Sequence, residues 1–173
     1  MMKKITLSFI LMALCLKTLT AQKKNNFEIG IIFGTTVNEI YGSRSGNIGG
    51  GVAYYFQPVE NLRVGPMVLF DHFSSNDEYG LDASFLDIAA SAKYNFIPAL
   101  FGGLDLGYAV ALEEGYNGGF MARPRFGWST RLTDLYIAYK GIFAAQNYYE
   151  GTQYNYAAVS GLSSITLGLN FKF

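Results

Sequence analysis

From residue 27 to the last residue, this chain repeatedly alternates apolar residues with small or polar ones, and its strand charges fall on one side of that alternation. Successive side chains of a β-strand point to opposite faces, so a period of two writes two faces into one segment. Setting the phase from apolar residues alone puts Phe27, Ile29, Ile31 and Phe33 on one face of the first segment. The same face later collects Leu86, Ile88, Tyr94 and Phe96, then Leu104, Leu106, Tyr108 and Val110, then Phe120, Phe126 and Trp128. The opposite face collects Glu28, Arg63, Asp71, Asp87, Lys93, Asp105, Glu113, Arg123, Arg125, Arg131, Lys140 and Lys172. Such a chain has to build one wall that tolerates no charge and one that gathers it.

Eight segments carry the pattern, over 27–36, 47–57, 62–73, 84–96, 100–112, 120–132, 135–147 and 159–173. Most exceed the roughly 9–11 residues that a tilted strand needs to cross a bilayer. Three connections are short (58–61, 97–99 and 133–134), and four are longer (37–46, 74–83, 113–119 and 148–158). Short turns at one end and long loops at the other are the plan of a membrane barrel, with both termini on the short-turn side. A soluble barrel can show the same alternation with its charges outward. Three features favour inversion. The apolar face continues through every strand, so no strand has the mixed face of a soluble edge. Small residues such as Gly30, Gly51, Ala53, Gly107 and Ala138 share the charged face and leave room for long side chains in a narrow lumen. Aromatic residues sit near strand ends, where membrane interfaces anchor them. The expected fold is therefore all-β: an eight-stranded antiparallel up-and-down transmembrane β-barrel.

Residues 1–21 read differently. Lys3 and Lys4 precede an apolar run from Ile5 to Leu16, and Leu19-Thr20-Ala21 ends in a small residue before Gln22. That is the layout of a cleaved secretory signal, and the run is short of the ~20 residues that a membrane helix needs. Cleavage after Ala21 leaves 22–173 as one barrel domain. It also removes Cys15, the single cysteine, and with it any disulfide or cysteine-based metal site. With Lys3, Lys4 and Lys17 gone, ten basic residues stand against thirteen acidic ones, a balance that argues against nucleic acid as a partner.

The chain resembles the small outer-membrane β-barrel proteins, the broad OmpA-like and porin-family superfamily. The specific element is its end, Leu167-Gly168-Leu169-Asn170-Phe171-Lys172-Phe173. Leu167, Leu169, Phe171 and Phe173 look like the alternating terminal signal read by the barrel insertion machinery. The resemblance implies residence in the cell outer membrane as a monomer, in contact with lipid and lipopolysaccharide.

No enzyme constellation is evident: GxSxG, HExxH and a phosphate loop are all missing, and His72 is the one histidine. His72-Phe73-Ser74 resembles the His-x-Ser of lipid A 3-O-deacylase barrels, with Asp82 as a candidate orienter. That family carries the motif late in the barrel, whereas here it ends the third segment. Asp77, Glu78 and Asp82 form an acidic loop that reads as solvated, so no cofactor or metal is expected. Charges on both signs of the inner face should pair and fill a lumen that, with eight strands, is just wide enough for side chains. The reading is thus a non-enzymatic envelope protein with a structural or surface-binding role. Its contact surface would be the loop tyrosines Tyr41, Tyr79, Tyr116, Tyr148, Tyr149, Tyr154 and Tyr156. A narrow passage for small solutes and a deacylase-like hydrolase are the alternatives.

Overall fold

The computed structural model of the chain describes residues 26–37, 46–74, 83–113, 118–144 and 162–173. Nine strand segments appear in chain order: β1 (Phe27–Thr36), β2 (Gly46–Tyr54), β3 (Phe56–Val59), β4 (Leu62–Ser74), β5 (Ala83–Ile97), β6 (Leu100–Ala111), β7 (Gly119–Ser129), β8 (Thr133–Ala144) and β9 (Leu162–Lys172). β2 and β3 are two parts of one barrel strand. Each neighbour pairs antiparallel, β1 pairs with β9, and β2 pairs with β4. The sheet closes on itself as an eight-stranded antiparallel barrel, which leaves no unpaired edge.

Two prolines explain where the hydrogen-bond ladder is interrupted. Ala53 pairs with Met67 and Phe56 with Val64 in one unbroken register, yet Tyr54–Tyr55 and Gly65–Pro66 between them are unpaired. Pro66 has no N–H to give. The gap lets the Tyr55 N–H donate to Asn26 O at 2.7 Å, and Tyr55 turns into the lumen. Gly65 is required there, because a Cβ would lie 1.8 Å from the Tyr54 carbonyl oxygen. On the other side of the barrel, Ala122 pairs with Gly141 and Arg125 with Ala138, again in one register, and the pairs beside Pro124 are missing. The true register shifts lie near the short turns, at 56–59 and 95–97. Asn61 closes the first of these turns at φ 65°, a left-handed conformation that asparagine tolerates.

The outer wall is apolar along every strand. Ile29, Ile31, Val52, Val68, Ile88, Leu104, Leu106, Phe126, Ile137 and Leu167 are all exposed, and none is charged. Inside, the wall is not merely small and charged. Tyr55, Phe73, Phe85, Phe101 and Tyr136 are buried there with Ile32, Met67, Leu69, Met121 and Ile142. Gly168 makes room for one of these rings, since a Cβ would lie 2.1 Å from Cζ of Tyr136. The lumen is therefore packed like a protein core.

Two positions assigned to the inner face by parity lie elsewhere. Arg131 is exposed in the turn between β7 and β8, because β7 stops at Ser129 and alternation has no meaning beyond a strand's end. Glu113 is exposed just past β6, at the rim. Conversely Asp134, read as a turn residue, is the second residue of β8 and is buried in the lumen.

Candidate functional site

The lumen's charges form three tiers, described from the short-turn end to the loop end. In the first, Glu28 of β1 accepts from Arg63 Nη1 at 2.9 Å, from Asn170 Nδ2 at 3.0 Å and from Lys93 Nζ at 3.4 Å. Lys93 also donates to Asp134, which accepts from Lys172 Nζ at 2.8 Å. Lys172 reaches Ser129 Oγ at 2.9 Å as well. Lys93 Nζ sits 4.4 Å from the centre of the Phe101 ring, a cation–π contact. Strands β1, β4, β5, β8 and β9 thus converge on one cluster of three cations and two anions.

The middle tier is built on Asp105 of β6. Its two oxygens accept from Arg123 Nε at 2.8 Å and Arg125 Nη2 at 2.9 Å, both from β7. The cross-strand register sets this up directly, because Asp105 faces Arg123. Arg125 Nη2 also reaches Ser91 Oγ at 2.9 Å and the Tyr55 hydroxyl at 3.2 Å. Tyr55 and Ser91 are themselves 2.8 Å apart. In the third tier, Lys140 of β8 crosses the lumen to donate to both Asp71 of β4 and Asp87 of β5. Above it Phe73 and Phe85 meet edge to face at 5.9 Å, so rings cover the tier toward the loop end.

Ten charged side chains are buried in this network, five acidic (Glu28, Asp71, Asp87, Asp105, Asp134) and five basic (Lys93, Arg123, Arg125, Lys140, Lys172). That equality matters, because a buried ion without a partner costs several kcal/mol. Of the charged residues assigned to the inner face, the structure brings Glu28, Arg63, Asp71, Asp87, Lys93, Asp105, Arg123, Arg125, Lys140 and Lys172 together, and Arg131 and Glu113 stay outside. Asp134 was the residue missed. Its signal was the neighbour Leu135, whose outward apolar side chain fixes Asp134 inward.

The one histidine lies on the outer wall near the loop end of β4. Ser84, not Ser74, is a partner at its Nδ1: His72 Nδ1 and Ser84 Oγ are 3.0 Å apart, as the β4–β5 pairing of His72 with Ser84 dictates. Ser84 N–H donates to the Glu113 carboxylate. Hydrogen bonds from the Ser84 hydroxyl and then its N–H hold the Glu113 carboxyl below its ordinary value. In a hydrolytic triad the histidine stands between carboxylate and nucleophile. Among the described residues the serine stands between the other two, is 8% exposed, and spends its N–H on Glu113. Asp82 and the loop tyrosines, with Asp77 and Glu78, lie outside the described residues.

Leu167, Phe171 and Phe173 are exposed on the outer wall of the last strand, and Leu169 is half-buried there. No protein family and no curated protein matches the sequence. Solved structures do match in fold. A de novo designed transmembrane β-barrel is similar at a TM-score of 0.58 and 15% identity, over 88% of this chain and 98% of that one. The N-terminal β-barrel domain of Pseudomonas aeruginosa OprF matches at 0.56 and 14%, over 88% of this chain and all of that one. The outer membrane enzyme PagL matches at 0.56 and 12%, over 83% and 97%. A designed barrel, a domain of a larger protein and an enzyme share this architecture, so the fold by itself does not choose a function.

Proposed function

We propose that this chain is an outer-membrane β-barrel of a Gram-negative envelope, with a structural or surface-binding role and no enzymatic activity. One observation carries the reading: the wall without charge faces out, and the charged wall is sealed inside against itself. Water offers no reason to expose Ile29, Leu106, Phe126 and Leu167 together, whereas lipid does. Residues 1–21 act as the secretory signal, removed after Ala21. Leu167, Leu169, Phe171 and Phe173 address the chain to the barrel insertion machinery. Lipid and lipopolysaccharide surround a monomer, and the tyrosine-rich loops supply its contact surface. The test is fractionation with N-terminal sequencing. A mature chain that starts at Gln22 in the outer membrane supports the proposal, and an intact Met1 or recovery from the soluble periplasm overturns it.

Against a passage for solutes stand the three paired tiers and the Phe73–Phe85 cover. The refolded protein should give no steady single-channel current in a planar bilayer. Against hydrolysis stands the order of the His72, Ser84 and Glu113 contacts among the described residues. Incubation with lipopolysaccharide should release no 3-hydroxy fatty acid.

A further inference from the structure

The middle tier has more donors than its carboxylate takes. Asp105 accepts one bond from each arginine, Arg123 Nη2 turns to the Met67 sulfur at 3.0 Å, and Arg125 Nη2 also serves Tyr55 and Ser91. Two donors remain. Arg123 Nη1 and Arg125 Nε are buried and have no hydrogen-bond partner among the described residues. An unpaired N–H on a buried charged group is costlier than on a neutral one, so both atoms call for an acceptor.

Both arginines line a cavity of about 20 Å³, and so does Glu28 of the first tier. One water needs about 10–15 Å³ and, inside a protein, makes about three hydrogen bonds. The lining selects the occupant by its chemistry. Two guanidinium groups repel a cation, and the Glu28 carboxylate repels an anion. An apolar occupant would leave both donors unpaired. Water fits both kinds of wall, because its oxygen accepts and its protons are given away. Glu28 Oε2 accepts from Asn170 Nδ2 at 3.0 Å, and a carboxylate oxygen carries two lone pairs, so it can accept a second bond.

We propose that this cavity is a binding site for one ordered water, which accepts from Arg123 Nη1 and Arg125 Nε and donates to Glu28 Oε2. The water ties the first tier to the middle one. Its bonds cross the lumen from β7 to β1, which are not neighbours in the sheet.

Two measurements on the full refolded chain test this. The first is a crystal structure at a resolution that shows ordered water, from crystals soaked in bromide. The expected result is a water within hydrogen-bond distance of Arg123 Nη1, Arg125 Nε and Glu28 Oε2, with no anomalous signal. A cavity without density, an anomalous bromide peak, or an arginine bonded directly to Glu28 overturns the proposal. The second is X-ray footprinting, in which radiolysis of a bound water oxidises the side chain beside it. Met67 lines the cavity and Met121 does not, although both are buried. Met67 should be oxidised several-fold faster than Met121, and equal rates overturn the proposal.

Discussion

The two walls of this barrel are made from the same strands, residue by alternate residue, yet they obey opposite rules. The outer wall is held to a composition: any apolar side chain serves, and position matters little. The inner wall is held to a geometry: Lys140 must meet Asp71 and Asp87, and Asp105 must meet Arg123 and Arg125. A substitution outside therefore changes a solvation energy, while one inside strands a partner.

The sharpest way to break this contrast is Lys140→Met, which leaves Asp71 and Asp87 facing each other with no cation. Removing one member of a buried pair costs about 3–5 kcal/mol, and reversible unfolding in lipid should show a loss of that size. Loss under ~1 kcal/mol would mean the loop-end tier is hydrated. On the outer wall, Leu106→Arg near mid-belt should cost about 2–4 kcal/mol by the same measurement. A neutral outcome there would mean that Leu106 does not face lipid. Pairing inside is sharpened by a double-mutant cycle on Arg123→Met and Asp105→Leu, expected to couple by about 0.5–3 kcal/mol. Additive losses would show that the 2.8 Å contact carries no specific energy. The smallest effect belongs to Arg131→Ala in the exposed turn, within about 0.5 kcal/mol. A larger loss would return Arg131 to the lumen.

The faces were legible because a period of two survives any change of neighbour. Glu28, Asp105 and Lys172 could be put inside without knowing what they touch. The ends of strands were not legible in the same way. Parity carried past Ser129 puts Arg131 inward, and Asp134 falls in a turn expected at 133–134 that in fact occupies 130–132. Partners were legible only where strands adjoin, as for Asp105 and Arg123. Lys140 meets Asp71 across the lumen, 69 positions away, and nothing local in the chain encodes that meeting. The rim cluster escaped for a related reason. Ser84 reaches His72 through strand pairing, whereas Ser74 was merely close in sequence.

The bond from Asn170 to Glu28 spans 142 positions, nearly the whole barrel, and Lys93 to Glu28 spans 65. The ion pairs of Asp105, Asp71 and Asp87 lie within β4 to β8, so what waits for the first and last strands to meet is the completion of the Glu28 cluster. A chain that lacks only its last strand still leaves Glu28 without the Asn170 amide and Asp134 without Lys172. Once β9 docks on β1, Asn170 reaches Glu28 and the cluster at the short-turn end is whole. Closure then works as a latch whose last catch is the Asn170–Glu28 bond.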